Sequence, residues 1–214
     1  MSADEPSVKA PSDFVDEAYH LENEQEMVGF YRKWAADYDR QMLDKLGYTA
    51  PGTIAAILGE QLADIQASIF DIGCGTGLTC RLLAERGFSK LDGIDLSADM
   101  LGVARERGIY RNLLQGDVNQ PLPLETASYD GAISSGTFTH GHVGPEPLDE
   151  IFRVLKPGGI LACTVHKDLW QSMGFEAKFA TLTKQGVATS ISLELGSYYR
   201  DRPAEGWFCV YRKA

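Results

Sequence analysis

The chain has 214 residues, of which 44% are apolar, so it is long enough to form one domain with an ordinary hydrophobic core. Its formal net charge is −10 and it has no cluster of Lys and Arg, which argues against nucleic acid or an anionic membrane surface as its main partner. No stretch approaches the ~20 apolar residues of a membrane-spanning helix, and the first twenty residues lack the basic and apolar regions of a secretory signal. We therefore expect a cytoplasmic protein that binds neither nucleic acid nor membranes.

The N-terminal part of the chain divides into an acidic segment and two helical patterns. Residues 1–25 carry too little apolar surface to fold alone and predict a mobile acidic leader. In residues 26–46, apolar side chains recur at spacings of three and four, which predicts an amphipathic helix. A proline opens a second predicted helix over residues 51–63. We expect residues 26–66 to form an N-terminal helical region that precedes a core over residues 67–214.

From residue 68 onward, short apolar strands alternate with amphipathic helices. The predicted strands cover residues 68–73, 91–96, 111–115, 129–134, 160–165, 188–198 and 207–212. The predicted helices between them cover residues 76–86, 98–107, 147–155 and 169–182. Ser97 is the predicted N-cap of the helix over 98–107, and a turn over residues 156–159 is predicted to end the helix over 147–155. Five βα units predict an α/β fold with a mostly parallel sheet, helices on both faces and a final antiparallel hairpin. Such sheets bind ligands at the carboxyl ends of their strands.

A glycine-rich turn follows the first of these strands. Gly73, Gly75 and Gly77 permit a tight turn, and the N–H groups at the start of the next helix favour a negatively charged ligand group. The order is G-x-G-x-G, whereas dinucleotide sites favour G-x-G-x-x-G. Asp71 precedes the first glycine by two residues, where its charge suits the ammonium of an amino-acid ligand and repels a pyrophosphate. A turn without a ligand is the alternative.

Acidic residues also follow the next two strands. Asp95 stands twenty residues after Gly75, the distance at which a carboxylate binds ribose hydroxyls. Because both NAD and S-adenosylmethionine (SAM) contain such a ribose, Asp95 indicates a nucleoside without choosing between them, and capping of the next helix is its alternative role. Asp117 is placed to accept the exocyclic amine of an adenine while Val118 packs on the ring, although such a triplet alone is more often a surface turn.

Taken in order, these and two later motifs resemble the motif series of class I SAM-dependent methyltransferases. The series reads Asp71-Ile-Gly-Cys-Gly-Thr-Gly77, Gly93-Ile-Asp-Leu-Ser97 with Met100, Gly116-Asp-Val118, Tyr129-Asp130 and Leu155-Lys-Pro-Gly-Gly159. The resemblance covers residues 68–165 and implies a Rossmann-like, seven-stranded sheet with its last strand antiparallel, and SAM as the cofactor. A narrower resemblance is to small-molecule methyltransferases similar to the Williams–Beuren-region protein.

This resemblance implies a set of cofactor-binding residues. The methionine part of SAM is assigned to the glycine turn, with Asp71 near its amino group, and the ribose is assigned to Asp95. The other residues that the resemblance places around the cofactor are Gly73, Cys74, Gly75, Thr76 and Gly77 in the turn, Leu96, Met100, Asp117 and Val118 beside the adenine or ribose, and Ser134 and Ser135 beside the methyl group.

The N-terminal helical pattern also takes part in this resemblance. Trp34-Ala-Ala-Asp-Tyr38-Asp39 is similar to the W/F-A-x-x-Y-D element with which many small-molecule methyltransferases begin. There the element forms a lid over SAM, so the resemblance implies that residues 26–66 are a helical lid and that Trp34 and Tyr38 contact the cofactor. An amphipathic helix packed on the domain is the alternative.

Methyl transfer from SAM is an in-line displacement in which the cofactor supplies the reactive group, so a catalytic side chain is not indispensable. If a base is used, His140 is the leading candidate because it follows the fourth strand, and His166, after the fifth strand, is the next. A surface histidine is the alternative for each.

The end of the fourth strand and the charge of the chain bear on the methyl acceptor. The fourth strand ends in Ser134-Ser-Gly-Thr137, not in the [N/D/S]-P-P-[Y/F/W] of enzymes that methylate amino groups of DNA or glutamine. This departure and the acidic charge favour a small-molecule acceptor. The four cysteines have no metal-site spacing, so no metal is predicted. An NAD(P)-dependent oxidoreductase and a non-catalytic SAM-binding module are the competing hypotheses.

Overall fold

The computed structural model describes residues 26, 29–30, 35, 37–139, 143–201 and 204–214. Within these residues one seven-stranded sheet has the order β3-β2-β1-β4-β5-β7-β6. Its strands are β1 Ser68–Ile72, β2 Lys90–Asp95, β3 Tyr110–Gln115, β4 Tyr129–Phe138, β5 Leu155–His166, β6 Ala188–Ser197 and β7 Glu205–Lys213. The first five strands pair in parallel, and β7 pairs antiparallel with both β5 and β6. The predicted mostly parallel sheet with a final antiparallel hairpin is confirmed.

The helices connect these strands in the predicted alternation. Their bounds are α1 Tyr38–Arg40, which continues as a π-helical turn over Gln41–Lys45, α2 Ala50–Gln61, α3 Leu78–Ala84, α4 Ala98–Glu106, α5 Pro147–Val154, α6 Lys167–Ser172 and α7 Phe175–Lys184. The longest of these has 12 residues, and no described helix is long and apolar enough to cross a membrane. Residues 1–25 and seven residues of the predicted helix over 26–46 lie outside the described residues, and the division into leader, lid and core stays a prediction.

Two predicted elements differ from the structure. The single helix predicted over residues 169–182 is wrong, because Gly174 adopts a left-handed φ of +84° and separates α6 from α7. The turn predicted at Lys156–Gly159 lies inside β5 as an irregularity. There the pairing with β4 shifts from Tyr129↔Leu155 to Gly131↔Ile160. The ammonium of Lys156 lies 2.7 Å from the Asp130 carboxylate and fixes this irregular segment against β4.

The sheet separates two hydrophobic clusters. On one face, α5, α6 and α7 bury Phe152, Trp170 and Phe179 against the strands. On the other face, α2 and α3 bury Leu58 and Leu83. All four cysteines are buried free thiols in or beside these clusters, as expected for small apolar side chains of a core. The strand order reverses between β2 and β4 on either side of β1, so the segment after β1 lies where such sheets bind ligands.

Candidate functional site

The three glycines of the turn after β1 have left-handed backbones for different reasons. Gly73 has φ +65°, and a Cβ there would lie 2.1 Å from the Thr137 hydroxyl oxygen. Gly77 has φ +83°, and a Cβ there would lie 2.8 Å from the Tyr110 ring. Gly75 has φ +52°, but no described atom lies within 4 Å of the position that its Cβ would take. Gly73 and Gly77 are therefore required by close packing, whereas Gly75 faces open space that a ligand can enter.

The Asp95 carboxylate lies beside this open face, at the end of β2. One oxygen accepts the Gly75 N–H at 2.7 Å, and the other accepts the Ser97 N–H at 2.9 Å. Burial raises the pKa of the Asp95 carboxyl, and the hydrogen bonds from backbone N–H groups oppose that rise. Each oxygen has a second lone pair, so the carboxylate can still accept two hydroxyl groups.

The alternative role of Asp95 was to cap the helix that follows β2, but Ser97, two residues later, caps that helix. Ser97 is the N-cap of α4, and its hydroxyl oxygen accepts the N–H of Met100 at 3.3 Å. Ser97 was predicted to be this cap, and the structure confirms it. Asp95 is therefore not needed to cap the helix.

Asp71 lies beneath the glycine turn rather than in the open space. Successive strand residues face opposite sides of the sheet, so Asp71 points with Ile69 towards the α2–α3 face. Its side chain is 1% exposed and accepts a 2.7 Å hydrogen bond from the Tyr110 hydroxyl. Burial raises the pKa of this carboxyl to about 6, although hydrogen bonds from Tyr110 and Cys80 lower it. That Asp71 lies near the SAM amino group stays a prediction. Because Asp71 lies beneath the turn, its charge would act on that group across the turn and not by direct contact.

Thr76 connects the glycine turn to two charged side chains. Its hydroxyl donates a 2.6 Å hydrogen bond to Asp39, and its carbonyl accepts a 2.5 Å hydrogen bond from Nε of Arg107. The Arg107 guanidinium also forms an ion pair with Asp39. Thr76 was predicted as a site residue, whereas neither Asp39 nor Arg107 was. Asp39 belongs to the W/F-A-x-x-Y-D element, but that element did not indicate a contact with the turn, and no local pattern identified Arg107.

The residues predicted to line the adenine follow β2 and β3. Leu96 is partly buried, while Met100 and Val118 are buried. Val118 packs in the same cluster as Ile94, so the ends of β2 and β3 are brought together. The Asp117 carboxylate accepts the backbone N–H of Asn119 at 2.8 Å and its side-chain amide at 2.9 Å. Asp117 therefore forms the surface-type turn that was its alternative role, and its second oxygen retains capacity to accept a ligand amine.

The two serines at the end of β4 have different environments. Ser134 is fully buried, and its hydroxyl donates to the carbonyl of Ile72 at 2.9 Å. Thr137 donates to the same carbonyl at 3.0 Å, so both side chains fasten β4 to the end of β1. Ser135 is partly exposed, and its hydroxyl oxygen lies 3.3 Å from that of Tyr48. Ser134 therefore supports the site, whereas Ser135 and Tyr48, which was not predicted, present hydroxyl groups beside it.

The remaining predicted residues are placed only in part. Trp34 and His140 lie outside the described residues. Tyr38 is half-buried against the α2–α3 cluster, which agrees with a helix packed on the domain. His166 is 5% exposed, and its Nδ1 accepts the N–H of Asp168 at 3.3 Å as the N-cap of α6. His166 thus has a structural role, which weakens its case as a base relative to His140.

Comparison with known proteins determines the family. Residues 70–163 match the family described as "Methyltransferase domain". Human Methyltransferase-like protein 27 is 32% identical over 182 residues, which cover 84% of this chain and 72% of that protein. The chain belongs to the class I SAM-dependent methyltransferases. SAM is therefore its cofactor, and the human relative fits the narrower resemblance drawn from the sequence.

Other similar proteins have different printed activities. This methyltransferase is 35% identical over 119 residues to the malonyl-[acyl-carrier protein] O-methyltransferase of Serratia marcescens, covering 53% of this chain and 46% of that protein. It is 48% identical over 66 residues to the 18S rRNA (guanine-N(7))-methyltransferase RID2 of Arabidopsis thaliana, covering 31% and 22%. The matches thus span less than half the length of these two relatives.

A similar fold also occurs in the crystal structure of the [4+2]-cyclase SpnF. The two chains superpose with a TM-score of 0.69 at 20% sequence identity, and the match covers 90% of this chain and 97% of the cyclase. At that identity the likeness shows the fold alone. The fold therefore does not identify the methyl acceptor, which has to be inferred from the residues of the site.

Proposed function

We propose that this methyltransferase transfers the methyl group of SAM to a small-molecule acceptor in the cytoplasm. The observation that carries the placement of SAM is the open face of Gly75 next to the Asp95 carboxylate. Of the three glycines in the turn, Gly75 alone is not crowded by any described residue, so the turn admits a ligand there. The Asp95 carboxylate, whose oxygens each have a further lone pair, lies within hydrogen-bond distance of the same residue.

In this proposal SAM lies across the carboxyl ends of β1, β2 and β4. The glycine turn holds the methionine part, and Asp95 accepts the two ribose hydroxyls. Leu96, Met100, Val118 and the second oxygen of Asp117 bind the adenine. Asp71 contributes from below: its buried charge favours a cation above the turn, and its hydrogen bond to Tyr110 supports the turn.

When bound, SAM would supply an electrophilic methyl group that an acceptor nucleophile attacks in line, while the C–S bond breaks and S-adenosylhomocysteine leaves. The protein then has to orient the acceptor, exclude water and, where the acceptor carries a proton, accept that proton. Ser135 and Tyr48 present hydroxyl groups at the end of β4 and are suited to orient an acceptor. His140 stays the candidate base because it follows this strand, whereas His166 caps α6.

Charge supports a small molecule over nucleic acid. The net charge of −10 disfavours approach of a phosphate backbone, and the end of β4 lacks the motif of amino-methylating enzymes. One relative is named for a carboxyl acceptor on a carrier protein and another for a guanine of rRNA. The test must therefore include all three classes of acceptor.

A labelling experiment separates these classes. The protein is incubated with SAM labelled at its methyl group and, separately, with a low-molecular-weight metabolite extract, total RNA or malonyl-acyl-carrier protein. The proposal predicts that label appears in the metabolite fraction and that Ser135→Ala slows its appearance. Label confined to RNA or to the carrier protein would show that the small-molecule assignment is wrong. Binding of SAM with no label in any fraction would favour a non-catalytic SAM-binding module.

A further inference from the structure

Asp39 joins the N-terminal helix α1 to the glycine turn. One of its carboxylate oxygens accepts the Thr76 hydroxyl at 2.6 Å, and the other is paired with the Arg107 guanidinium. Nε of Arg107 donates to the Thr76 carbonyl at 2.5 Å. The three residues thus form a closed ring of hydrogen bonds that brings together α1, the turn and the end of α4.

This ring is sheltered from solvent. The Asp39 and Arg107 side chains are 25% and 17% exposed, and Thr76 is buried. On either side of Asp39 in the sequence, Asp37 and Arg40 form an ion pair at 2.6 Å, and their side chains are 54% and 65% exposed. Water and salt screen the exposed pair more strongly, so the Asp37–Arg40 pair contributes less and provides a matched control in the same segment.

The ring acts on the glycine turn, where SAM is proposed to bind. Thr76 stands between Gly75 and Gly77, whose left-handed backbones are not restrained by side chains of their own. Arg107 fixes the Thr76 carbonyl, and its Cδ lies 3.3 Å from the position that a Cβ on Gly77 would take. Asp39 fixes the Thr76 hydroxyl. The peptide plane that follows Thr76 and the Thr76 side chain are thereby held in one orientation, and the N–H group of Gly77 is held with that plane.

We propose that Asp39 and Arg107 are positioning residues for SAM: they hold the glycine turn in its ligand-binding shape and couple the docking of α1 to cofactor binding. This inference rests on the placement of SAM at the turn under the proposed function. Because coupling between two binding events is reciprocal, SAM that binds the turn also stabilises the docked position of α1. The two alternatives for the N-terminal helix, packing on the domain and responding to SAM, are then compatible.

The test compares the affinity for SAM with the hydrogen exchange of the N-terminal segment. Asp39→Ala and Arg107→Met are each expected to raise the Kd of SAM about tenfold, the effect of losing a charge-assisted hydrogen bond, whereas Asp37→Ala leaves it unchanged. The double variant Asp39→Ala/Arg107→Met is expected to bind no more weakly than either single variant, since both break the same ring. SAM is expected to slow amide exchange over residues 37–46 in the wild type and in Asp37→Ala, but not in the ring variants.

The outcomes separate this inference from the proposed site. Wild-type binding of SAM together with unchanged binding by Asp39→Ala would overturn the inference and leave the SAM site intact. Failure of the wild type to bind SAM would overturn both. If Asp39→Ala does not fold, Arg107→Lys decides the question, because it keeps the charge but loses the Nε donor to Thr76. Weaker binding and lost exchange protection in that variant support the ring, and wild-type behaviour overturns it.

Discussion

Asp71 and Tyr110 form a buried hydrogen bond of 2.7 Å directly beneath the glycine turn. Tyr110 also packs against Gly77, so one tyrosine at the start of β3 supports both the buried acid and the turn. The carboxylate has no cation among its described hydrogen-bond partners, and burial raises its pKa to about 6. A buried acid of raised pKa beside an open ligand site is typical of functional positions, where charge is retained at a cost in stability.

The burial of the Asp71 carboxylate predicts that the stability of the protein depends on pH. Between the unfolded pKa of 3.8 and the folded pKa of about 6, the folded state holds a proton that the unfolded state has lost. The free energy of unfolding therefore falls as the pH rises through this window and stays lower above it, by up to about 3 kcal/mol. Asp71→Asn should remove this dependence and raise the free energy of unfolding at pH 8, measured by urea denaturation at several pH values.

Asp92, a buried acid that is paired with the Arg111 guanidinium, provides the control for Asp71. Asp92 is 4% exposed and accepts hydrogen bonds from Arg111 at 2.5 Å and Tyr129 at 3.0 Å. Asp92→Asn should lower stability at pH 8, because it leaves the Arg111 guanidinium without its counter-ion. A loss of stability at pH 8 in Asp71→Asn as well would contradict the account of Asp71.

Substitutions at the glycines should separate packing from ligand binding. Gly73→Ala places a Cβ against Thr137 and should lower the free energy of unfolding by about 2–4 kcal/mol, from overpacking plus the left-handed backbone. Gly75→Ala meets no described atom and should cost only about 1–2 kcal/mol of backbone strain. Gly75→Ala should instead weaken SAM binding, because its Cβ enters the ligand space. Equal stability of the two variants in thermal unfolding would argue against these different roles.

The serines at the end of β4 should also differ. Ser134→Ala removes a buried hydrogen bond to Ile72 and should lower the free energy of unfolding by about 1 kcal/mol, with little change in the KM for the acceptor. Ser135→Ala should leave stability within about 0.5 kcal/mol and raise the acceptor KM or lower kcat. Denaturation and steady-state kinetics of both variants measure these effects. Kinetics altered by Ser134→Ala but not by Ser135→Ala would reverse the assignment.

His140 should be needed for turnover only if the acceptor must lose a proton. His140→Ala is then expected to lower kcat by about 10²–10³-fold without changing SAM affinity, and His140 accounts for a fall in kcat at low pH. His166→Ala removes the N-cap of α6 and should cost stability, about 1 kcal/mol, more than turnover. A pH–rate profile of each variant tests this, and an unchanged profile in His140→Ala would exclude that residue as the base.

The sequence was sufficient for the sheet because its signals are local. Alternation of apolar strands with amphipathic helices predicted the seven strands within a few residues, and Ser97 was identified as an N-cap from its position alone. The break between α6 and α7 was missed, because one glycine within a helical pattern also occurs in continuous helices. Whether Gly174 takes a left-handed backbone depends on how the two halves pack, which the local pattern does not contain.

The site was predicted where spacing along the chain fixes it. Asp95 follows the turn by one βα unit, so its place beside Gly75 follows from the topology. The contacts of Tyr110 with Asp71 and of Asp39 with Thr76 join residues 39 and 37 positions apart through side chains, and no periodicity encodes them. The motif placed Ser134 in the fourth strand, but its burial and its hydrogen bond to the Ile72 carbonyl depend on how β4 packs beside β1, which the motif does not contain.

Titration calorimetry tests whether the glycine turn and Asp95 bind SAM. Asp95→Ala removes the carboxylate that we propose accepts the ribose hydroxyls, and Asp149→Ala, which removes an exposed acid paired with Lys178, serves as the control. SAM and S-adenosylhomocysteine are predicted to bind the wild type and Asp149→Ala with one site. Asp95→Ala should bind both ligands more weakly by about 1.5–3 kcal/mol while remaining folded. Unchanged affinity in Asp95→Ala, or no heat with either ligand but a clear isotherm with NADH, would contradict the claim.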